Sequence, residues 1–339
     1  MMNKLLTLCT AAYNAEKYIS KMIESVMASR NHEVVEIIIV NDGSTDNTER
    51  ISKEYEEKYP DCIKVISKQN GGSGSARNLA FKYATGKYIK LLDADDWVDT
   101  SKFDEFLEML KSMDADVIWN GHYIYSVKKG LKSEEKYFDD MIPCKIYKSS
   151  DCEFPYPRNL EMHGVTYRTS VIVENNIKLS EGMPYVDLEY LLLPIPFVKS
   201  IAYINISFYV YQYGIEGQSV DPNVMRKKGD KVRRMLERLL QYYDIHSINT
   251  PEISKELMRI CLTKACNVYL NVSFVQEKFG QKKEVIEADK WIKDRNECVW
   301  NKMPTQSGSV RMMRVLDYKG YHLMVILHRI NRIVNGWEK

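Results

Sequence analysis

The chain has 339 residues, 45% hydrophobic and 28% charged, an ordinary globular composition that excludes disordered, collagenous and low-complexity classes. Forty-eight basic and 46 acidic residues leave a formal net charge of +2, too even a balance for a dedicated nucleic-acid binder. Seven cysteines (Cys9, Cys62, Cys144, Cys152, Cys261, Cys266 and Cys298) are odd in number and scattered without a Cys-x-x-Cys, which fits reduced thiols in a cytoplasm and argues against a disulfide framework or a cysteine-held zinc.

The first 120 residues alternate strand and helix. Lys4 followed by Leu5–Ala12 mimics a short signal peptide, but the following pattern calls for a buried first strand, Leu5–Thr10. Ala15–Ser29 has helical spacing, and Val34–Val40 is a β-branched run suited to a strand buried on both faces. Ser44–Tyr59 reads as a helix behind capping residues, Ile63–Ile66 as a strand, and Gly71–Ala84 as a loop entering a helix. Tyr88–Leu92 is a strand, Ser101–Met113 a helix and Asp116–Gly121 a strand. This order predicts an α/β fold, with a mostly parallel sheet covered by helices. His122–Ile146 then reads as a β-hairpin with Lys128-Lys129-Gly130 at its turn, and residues 163–220 mix short elements. Helices follow at Val224–Tyr243, Ile253–Val272, Lys282–Trp300 and Val310–Val334, with a domain boundary near 222. No segment approaches the ~20 apolar residues of a spanning helix.

Open α/β sheets bind ligands at the carboxyl ends of their strands. There stand Thr10-Ala11-Ala12-Tyr13-Asn14, Asn41-Asp42-Gly43-Ser44-Thr45-Asp46, Asn70-Gly71-Gly72 running to Ala76-Arg77-Asn78, and Asp93-Ala94-Asp95-Asp96. Three carboxylates in four residues repel one another unless a cation lies between them, and a hard divalent ion with oxygen ligands would serve. The competing reading is a helix-start cluster in which Asp96 or Asp99 caps the next helix. Asp42 alone reads as a turn residue, and Arg77 alone could meet a nucleotide or simply make an ion pair on a helix face.

Taken together and in order, these segments resemble family-two glycosyltransferases of the GT-A fold, of the kind that builds bacterial surface polysaccharides. The resemblance is dense over about the first 100 residues. It implies a nucleotide-sugar donor, usually a UDP-sugar, and places Thr10, Tyr13, Asp42, Asn70 and Arg77 about the base and ribose. Asp93 and Asp95 become the Asp-x-Asp pair that holds Mn2+ or Mg2+ on the diphosphate, with Asp93 also on the donor and Asp96 in support. Ala11 departs from the family, which usually has proline there. Further on, Glu181-Gly182-Met183-Pro184-Tyr185-Val186-Asp187-Leu188-Glu189 matches the family's base segment with Val186 in place of a glutamate. Asp187 is thereby assigned as general base, against the alternative of a helix cap; Glu189 is the reserve. His163 lies near the expected acceptor cleft, although a lone histidine is more often structural. Tyr211-Gln212-Tyr213-Gly214 leads to Gln218-Ser219, which resembles the loop that closes over the donor, with Glu216 where many relatives have arginine.

From Lys302 to Lys339 the chain has seven Lys or Arg and two Asp or Glu, so the basic excess lies in the tail. Leu323, Ile326, Leu327, Ile330, Ile333, Val334 and Trp337 share one helical face, which suits an anionic membrane surface, packing on the protein or a homodimer contact. A further basic set, which includes Lys231 and Arg238, reads as a solvated face. The expected organisation is a GT-A unit at 1–221, with a donor half (1–100) and an acceptor half (101–221), and a helical region at 222–339. The expected activity is that of a metal-dependent inverting glycosyltransferase, cytoplasmic or peripheral on the inner membrane face, acting on a saccharide or lipid-linked acceptor. The alternatives are a non-catalytic nucleotide-sugar-binding scaffold of a membrane assembly and a nucleotidyltransferase. The latter would need a glycine-rich basic loop after the first strand, where Ala11-Ala12-Tyr13-Asn14 stands.

Overall fold

The computed structural model describes residues 4–151, 154–157, 159–215, 218, 229–275 and 282–334. Strands β1 (Leu6–Ala12), β2 (Val35–Asp42), β3 (Ile63–Lys68) and β4 (Tyr88–Leu91) form a wholly parallel half-sheet in the order β3-β2-β1-β4. Helices α1 (Ile19–Met27), α2 (Thr48–Lys58) and α3 (Ser73–Tyr83) make the crossovers. The continuous apolar run of β2 has a period-two logic. Ile37 and Ile39 pack into one core with α1, while Ile38 and Val40 pack into the other with Ala76, Ala80 and Phe81 of α3. The would-be leader Leu6–Ala12 is the buried central strand.

Past β4 the sheet changes character. β5 (Trp97–Val98) is a two-residue strand with no signal in the sequence pattern, and α4 (Thr100–Ser112) follows. Asp99 caps α4 by accepting from Lys102 N–H, so the capping role expected of Asp96 or Asp99 falls to Asp99. β6 (Val117–Ser126) forms a hairpin with β7 (Leu131–Glu135), turning at Gly130 with φ +60°. Ile146, expected at the end of that hairpin, belongs to a separate strand β8 (Ile146–Lys148). β9 (Val165–Arg168) inserts antiparallel between β4 and β6. The uncharged stretch from Ser200 is β10 (Ser200–Tyr213), parallel to β6 and antiparallel to β5 and β8. Since β9 runs against both β4 and β6, the strands β3, β2, β1, β4, β6 and β10 all point the same way, as a mostly parallel sheet requires.

Two short helices, α5 (Thr169–Val173) and α6 (Val186–Leu192), lie between β9 and β10. The C-terminal region is helical: α7 (Gly229–His246), α8 (Glu252–Val275), α9 (Lys282–Arg295), α10 (Glu297–Gln306), α11 (Gly308–Val315) and α12 (Tyr321–Val334). Its apolar faces merge with the core beneath α3 and α6, where Leu236, Leu257 and Leu262 join Trp119, Leu191 and Tyr167. Two expected long helices are each divided. Asn296 restarts the chain as a cap for α10 by accepting from Val299 N–H (3.0 Å), and Asp317 and Tyr318 adopt φ of +48° and +57° between α11 and α12. The expected boundary near 222 and helix start at Val224 lie outside the described residues. Among the described residues, no helix is long and apolar enough to cross a membrane.

Gly74, in the first turn of α3, sets how closely the base segment approaches this helix. A Cβ there would stand 2.1 Å from the Ser180 carbonyl oxygen. In an ordinary helix Gly→Ala stabilises by up to ~1 kcal/mol. Here Gly74→Ala is expected to have the opposite sign, a loss of ~1–3 kcal/mol in denaturant unfolding, because backbone must move to admit the methyl.

Candidate active site

Two cavities open at the carboxyl ends of the parallel strands and share a wall. The smaller, about 460 Å³, is bordered by Tyr13, Tyr18, Ser73, Asp93, Asp95 and Gln218, among others. The larger, about 570 Å³, also has Asp93, Asp95 and Gln218 on its border and adds Arg77, His163, Asp187 and Lys264. The wall is therefore made by the two aspartates, Gln218 and Ser73, which borders both.

The loops around the smaller cavity are laced together. Asn14, at φ +48°, accepts from Thr45 N–H (2.8 Å), while its own N–H donates to Ser44 Oγ (3.0 Å). Thr48 Oγ1 accepts from Ala15 N–H (2.7 Å), and Asp46 Oδ2 from Glu16 N–H (3.1 Å). These bonds hold Tyr13, 55% exposed, at the cavity rim. Asp42 is buried and accepts from Gly71 N–H (2.9 Å), Gly72 N–H (2.7 Å) and Lys68 Nζ (2.8 Å), and Asn70 Nδ2 donates to the Asp42 carbonyl (2.8 Å). Gly72 turns at φ +85°, a conformation natural to glycine.

The Asp93, Asp95 and Asp96 carboxylates offer oxygens within 4.8 Å of one another. Each has a different partner. Asp93 Oδ1 accepts from Arg77 Nη2 (2.7 Å), Asp95 Oδ2 from Gln218 Nε2 (3.1 Å), and buried Asp96 from Tyr209 Oη (2.5 Å) and Gln212 N–H (2.7 Å). Burial and the charge of Asp93 raise the Asp95 pKa, and burial with Asp95 and Asp93 raises Asp96 well above the carboxylate range. Burial would lower the basicity of Arg77, but Asp93 and Asp187 facing it more than offset that and raise it. Arg77 offsets only one of these carboxylates, so the cluster is still short of positive charge. All-oxygen donors at the mouth of two cavities fit a hard divalent cation on Asp93 and Asp95, with Asp96 behind them.

Asp187 lies in the first turn of α6, whose cap position is Tyr185 at φ +57°, so Asp187 is not the helix cap. It borders the larger cavity, and burial raises its pKa against the opposing charges of Arg77 and Lys264. Glu189 is fully buried and accepts from Ser180 N–H (2.6 Å), Ser180 Oγ (2.7 Å) and Arg238 Nη1. It clamps the base segment to α7, and Arg238 is part of that clamp instead of a free basic face.

Residues 7–176, half of the chain, match the family described as Glycosyl transferase family 2. The chain belongs to glycosyl transferase family 2. YibD of Escherichia coli (strain K12), described as an uncharacterized glycosyltransferase, is 28% identical over 282 residues, covering 77% of this chain and 80% of its own. The minor teichoic acid biosynthesis protein GgaB of Bacillus subtilis (strain 168) is 47% identical over 96 residues, which are 28% of this chain and 11% of GgaB, so the two share one segment of a much longer protein. The S. aureus TarS fragment 1–349 in complex with UDP-GlcNAc superposes with a TM-score of 0.64 at 19% identity, covering 96% of this chain and 92% of that one, a likeness of fold.

Within this family member the residues singled out from sequence separate into groups. Tyr13, Asp93, Asp95 and Gln218 border the smaller cavity; Arg77, Asp93, Asp95, His163, Asp187 and Gln218 border the larger. Arg77 thus faces Asp93 and the larger cavity, away from the Tyr13 side where the base and ribose were expected. Thr10, Asp42 and Asn70 border neither cavity: Thr10 is fully buried with its hydroxyl unpartnered, and Asp42 and Asn70 shape the glycine loop. Glu181 is exposed, and Ser219 lies outside the described residues. Sequence reasoning missed Glu161 and Lys264, both on the larger cavity, whereas Tyr211, named with the loop expected over the donor, also borders it. The one available signal was a lysine in the otherwise uncharged stretch Ile260–Leu270 of α8.

The two acids of the base segment should separate in a stability assay. Glu189→Ala is expected to cost ~1–3 kcal/mol in urea unfolding by leaving Ser180 N–H without its acceptor. Asp187→Asn should change stability by under ~1 kcal/mol, because it removes a charge that burial already disfavours.

Proposed function

We propose that this family member is a metal-dependent inverting glycosyltransferase that moves a hexosyl or N-acetylhexosaminyl group from a UDP-sugar to a hydroxyl of a saccharide or lipid-linked acceptor in surface polysaccharide synthesis. The observation that carries this reading is the shared wall: Asp93 and Asp95 border both cavities, while Asp187 borders only the larger. A nucleotide on the Tyr13 side and an acceptor on the Asp187 side would meet across it. The teichoic acid in the name of GgaB supports a surface-polymer acceptor, and the UDP-GlcNAc held by TarS supports a uridine donor. Retention of Asp93, Asp95 and Asp187 together favours turnover over a scaffold role.

On this reading Tyr13 offers its exposed ring to the base. Asp93 and Asp95 would hold Mn2+ or Mg2+, which as a Lewis acid supplies charge neutralisation for the departing diphosphate. Arg77 neutralises Asp93 and adds a fixed positive charge at the same end. Asp187 takes the proton from the acceptor hydroxyl as it attacks the anomeric carbon from the face opposite the diphosphate. Residues 1–221 form the catalytic unit in this account, with the donor half at 1–100 and the acceptor half at 101–221. Residues 222–339 form the helical region that supplies Lys264 to the acceptor side. On α12, Leu323, Ile326, Leu327 and Ile330 stand exposed, while Tyr321 and Met324 pack inward. With the basic excess of the tail, this row suits peripheral contact with an anionic membrane surface.

Asp187→Asn should reduce transfer by ~100-fold or more in a manganese-containing assay with a panel of UDP-sugars, with UDP affinity unchanged. Transfer near the wild-type rate would remove Asp187 from the mechanism. The base must be ionised to act, and its pKa is raised, so kcat/KM should fall with decreasing pH along a limb above the ordinary aspartate range near ~3.9. Leu327→Asp/Ile330→Asp should abolish co-sedimentation with phosphatidylglycerol vesicles; equal sedimentation of the wild type and this variant would refute the membrane contact.

A further inference from the structure

The floor of the larger cavity holds a second cluster that the transfer reaction does not use. Glu161 Oε2 lies 3.6 Å from His122 Nε2 and 3.5 Å from His163 Nδ1. Both nitrogens are buried, and neither has a hydrogen-bond partner. His122 is completely inaccessible, while His163 reaches the cavity wall.

The groups around the cluster hold its members in place. His122 Nδ1 is 2.8 Å from the Tyr137 hydroxyl, which orients the ring so that Nε2 faces Glu161. Lys264 Nζ donates to the other Glu161 oxygen, Oε1 (2.8 Å). Fully buried Lys90 donates to the His163 and Val165 carbonyls (2.6 and 3.1 Å) and fixes the backbone that presents His163. His163 also stacks on Tyr211, with centroids 4.5 Å apart. What remains is two imidazole nitrogens and one carboxylate oxygen turned toward a common point, their ligating atoms within 4.8 Å of one another. The 3.5 and 3.6 Å separations are long for hydrogen bonds. They are close to the ~3.3–3.4 Å edge of a tetrahedron with metal–ligand bonds of ~2.0–2.1 Å.

We propose that His122, Glu161 and His163 form a second metal site, separate from Asp93 and Asp95, that takes a borderline transition ion such as Zn2+ and leaves its fourth position toward the acceptor-side cavity. The two donor sets select different metals. Two imidazoles and a carboxylate suit Zn2+, whereas the all-carboxylate cluster suits Mg2+ or Mn2+. The fourth position would take water, or an acceptor oxygen if the acceptor lies where the transferase reading puts it. The Tyr137–His122 contact is the outer-shell support such histidine ligands normally have.

The test uses the full chain, stripped with chelator and titrated without nucleotide sugar, so its outcome does not depend on transferase activity. Zn2+ affinity is measured against a chromophoric chelator, and Co2+ is added as a spectroscopic probe of tetrahedral coordination. The wild type is expected to bind one tight Zn2+ and to give the intense visible absorption of tetrahedral Co2+. His163→Gln, at the cavity wall, and Glu161→Gln should each weaken Zn2+ at least ~10-fold, while Asp95→Asn leaves it unchanged. Circular dichroism and thermal unfolding establish that each variant is folded, and Glu161→Gln serves if His163→Gln is not. Absence of a tight equivalent in the wild type, or the same affinity in a folded His163→Gln or Glu161→Gln variant, would overturn the site and leave a plain histidine–glutamate ion pair. Loss of tight Zn2+ in Asp95→Asn would overturn it too, by placing the ion on the aspartates.

Discussion

The arrangement depends on the crowding of three carboxylates at the end of β4. Asp93, Asp95 and Asp96 sit within 4.8 Å of one another beside a buried strand, and such a group is unstable without surrounding positive charge and donors. The surrounding elements are placed to provide them. α3 brings a buried guanidinium to Asp93, and β10 brings a hydroxyl and a backbone N–H to Asp96. Gln218, a few residues beyond β10, reaches Asp95. Helix, strand and loop converge because one short acidic segment demands it, and the two cavities are the space left around that convergence.

The other acids of the site differ in what their oxygens already bond. Asp42 and Glu189 are both buried, and both accept backbone N–H groups along with a cation, so they fix the shape of loops. Asp187, by contrast, faces a cavity and has no capping role. Residue type alone does not separate these roles; occupancy of the lone pairs does. Glu189 also shows how positioning is achieved at a distance. Held to Arg238 on α7 and to Ser180, it fixes the start of the turn that carries Asp187 two residues away.

The parallel half-sheet was legible because its strands are short, largely apolar runs, β-branched in β2, whose residues face two cores in alternation, a pattern that local sequence carries. The acidic segment, the glycine loop and Asp187 were legible as motifs. Less of the acceptor half was readable. Nothing in Val165–Arg168 says that it runs antiparallel between β4 and β6, since edge pairing is decided by tertiary geometry. Asn296 and Asp317-Tyr318 divide helices whose apolar spacing continues across them, through backbone conformations that periodicity does not encode. Lys264 and Glu161 meet across 103 residues of chain, and the pairing of Arg77 with Asp93 is likewise a tertiary contact that no motif announces. Asp42 reads in sequence as a turn residue or a ligand group, and only its three donors reveal the loop it holds.

The insertion of β9 has a consequence for the order in which the molecule can be completed. β4 pairs with β1 on one side and with β9 on the other, and β9 begins 74 residues after β4 ends. While the chain is being synthesised from its N-terminus, the parallel half-sheet therefore has an open hydrogen-bonding edge at β4 until residue 168 has emerged. β6 must wait longer still for β10, which ends at Tyr213. An unpaired apolar edge of this kind is the feature that recruits other chains, and closing it requires contacts distant in sequence, which form slowly. Dependence on chaperones during synthesis would thus be concentrated in the interval between the fourth strand and the ninth.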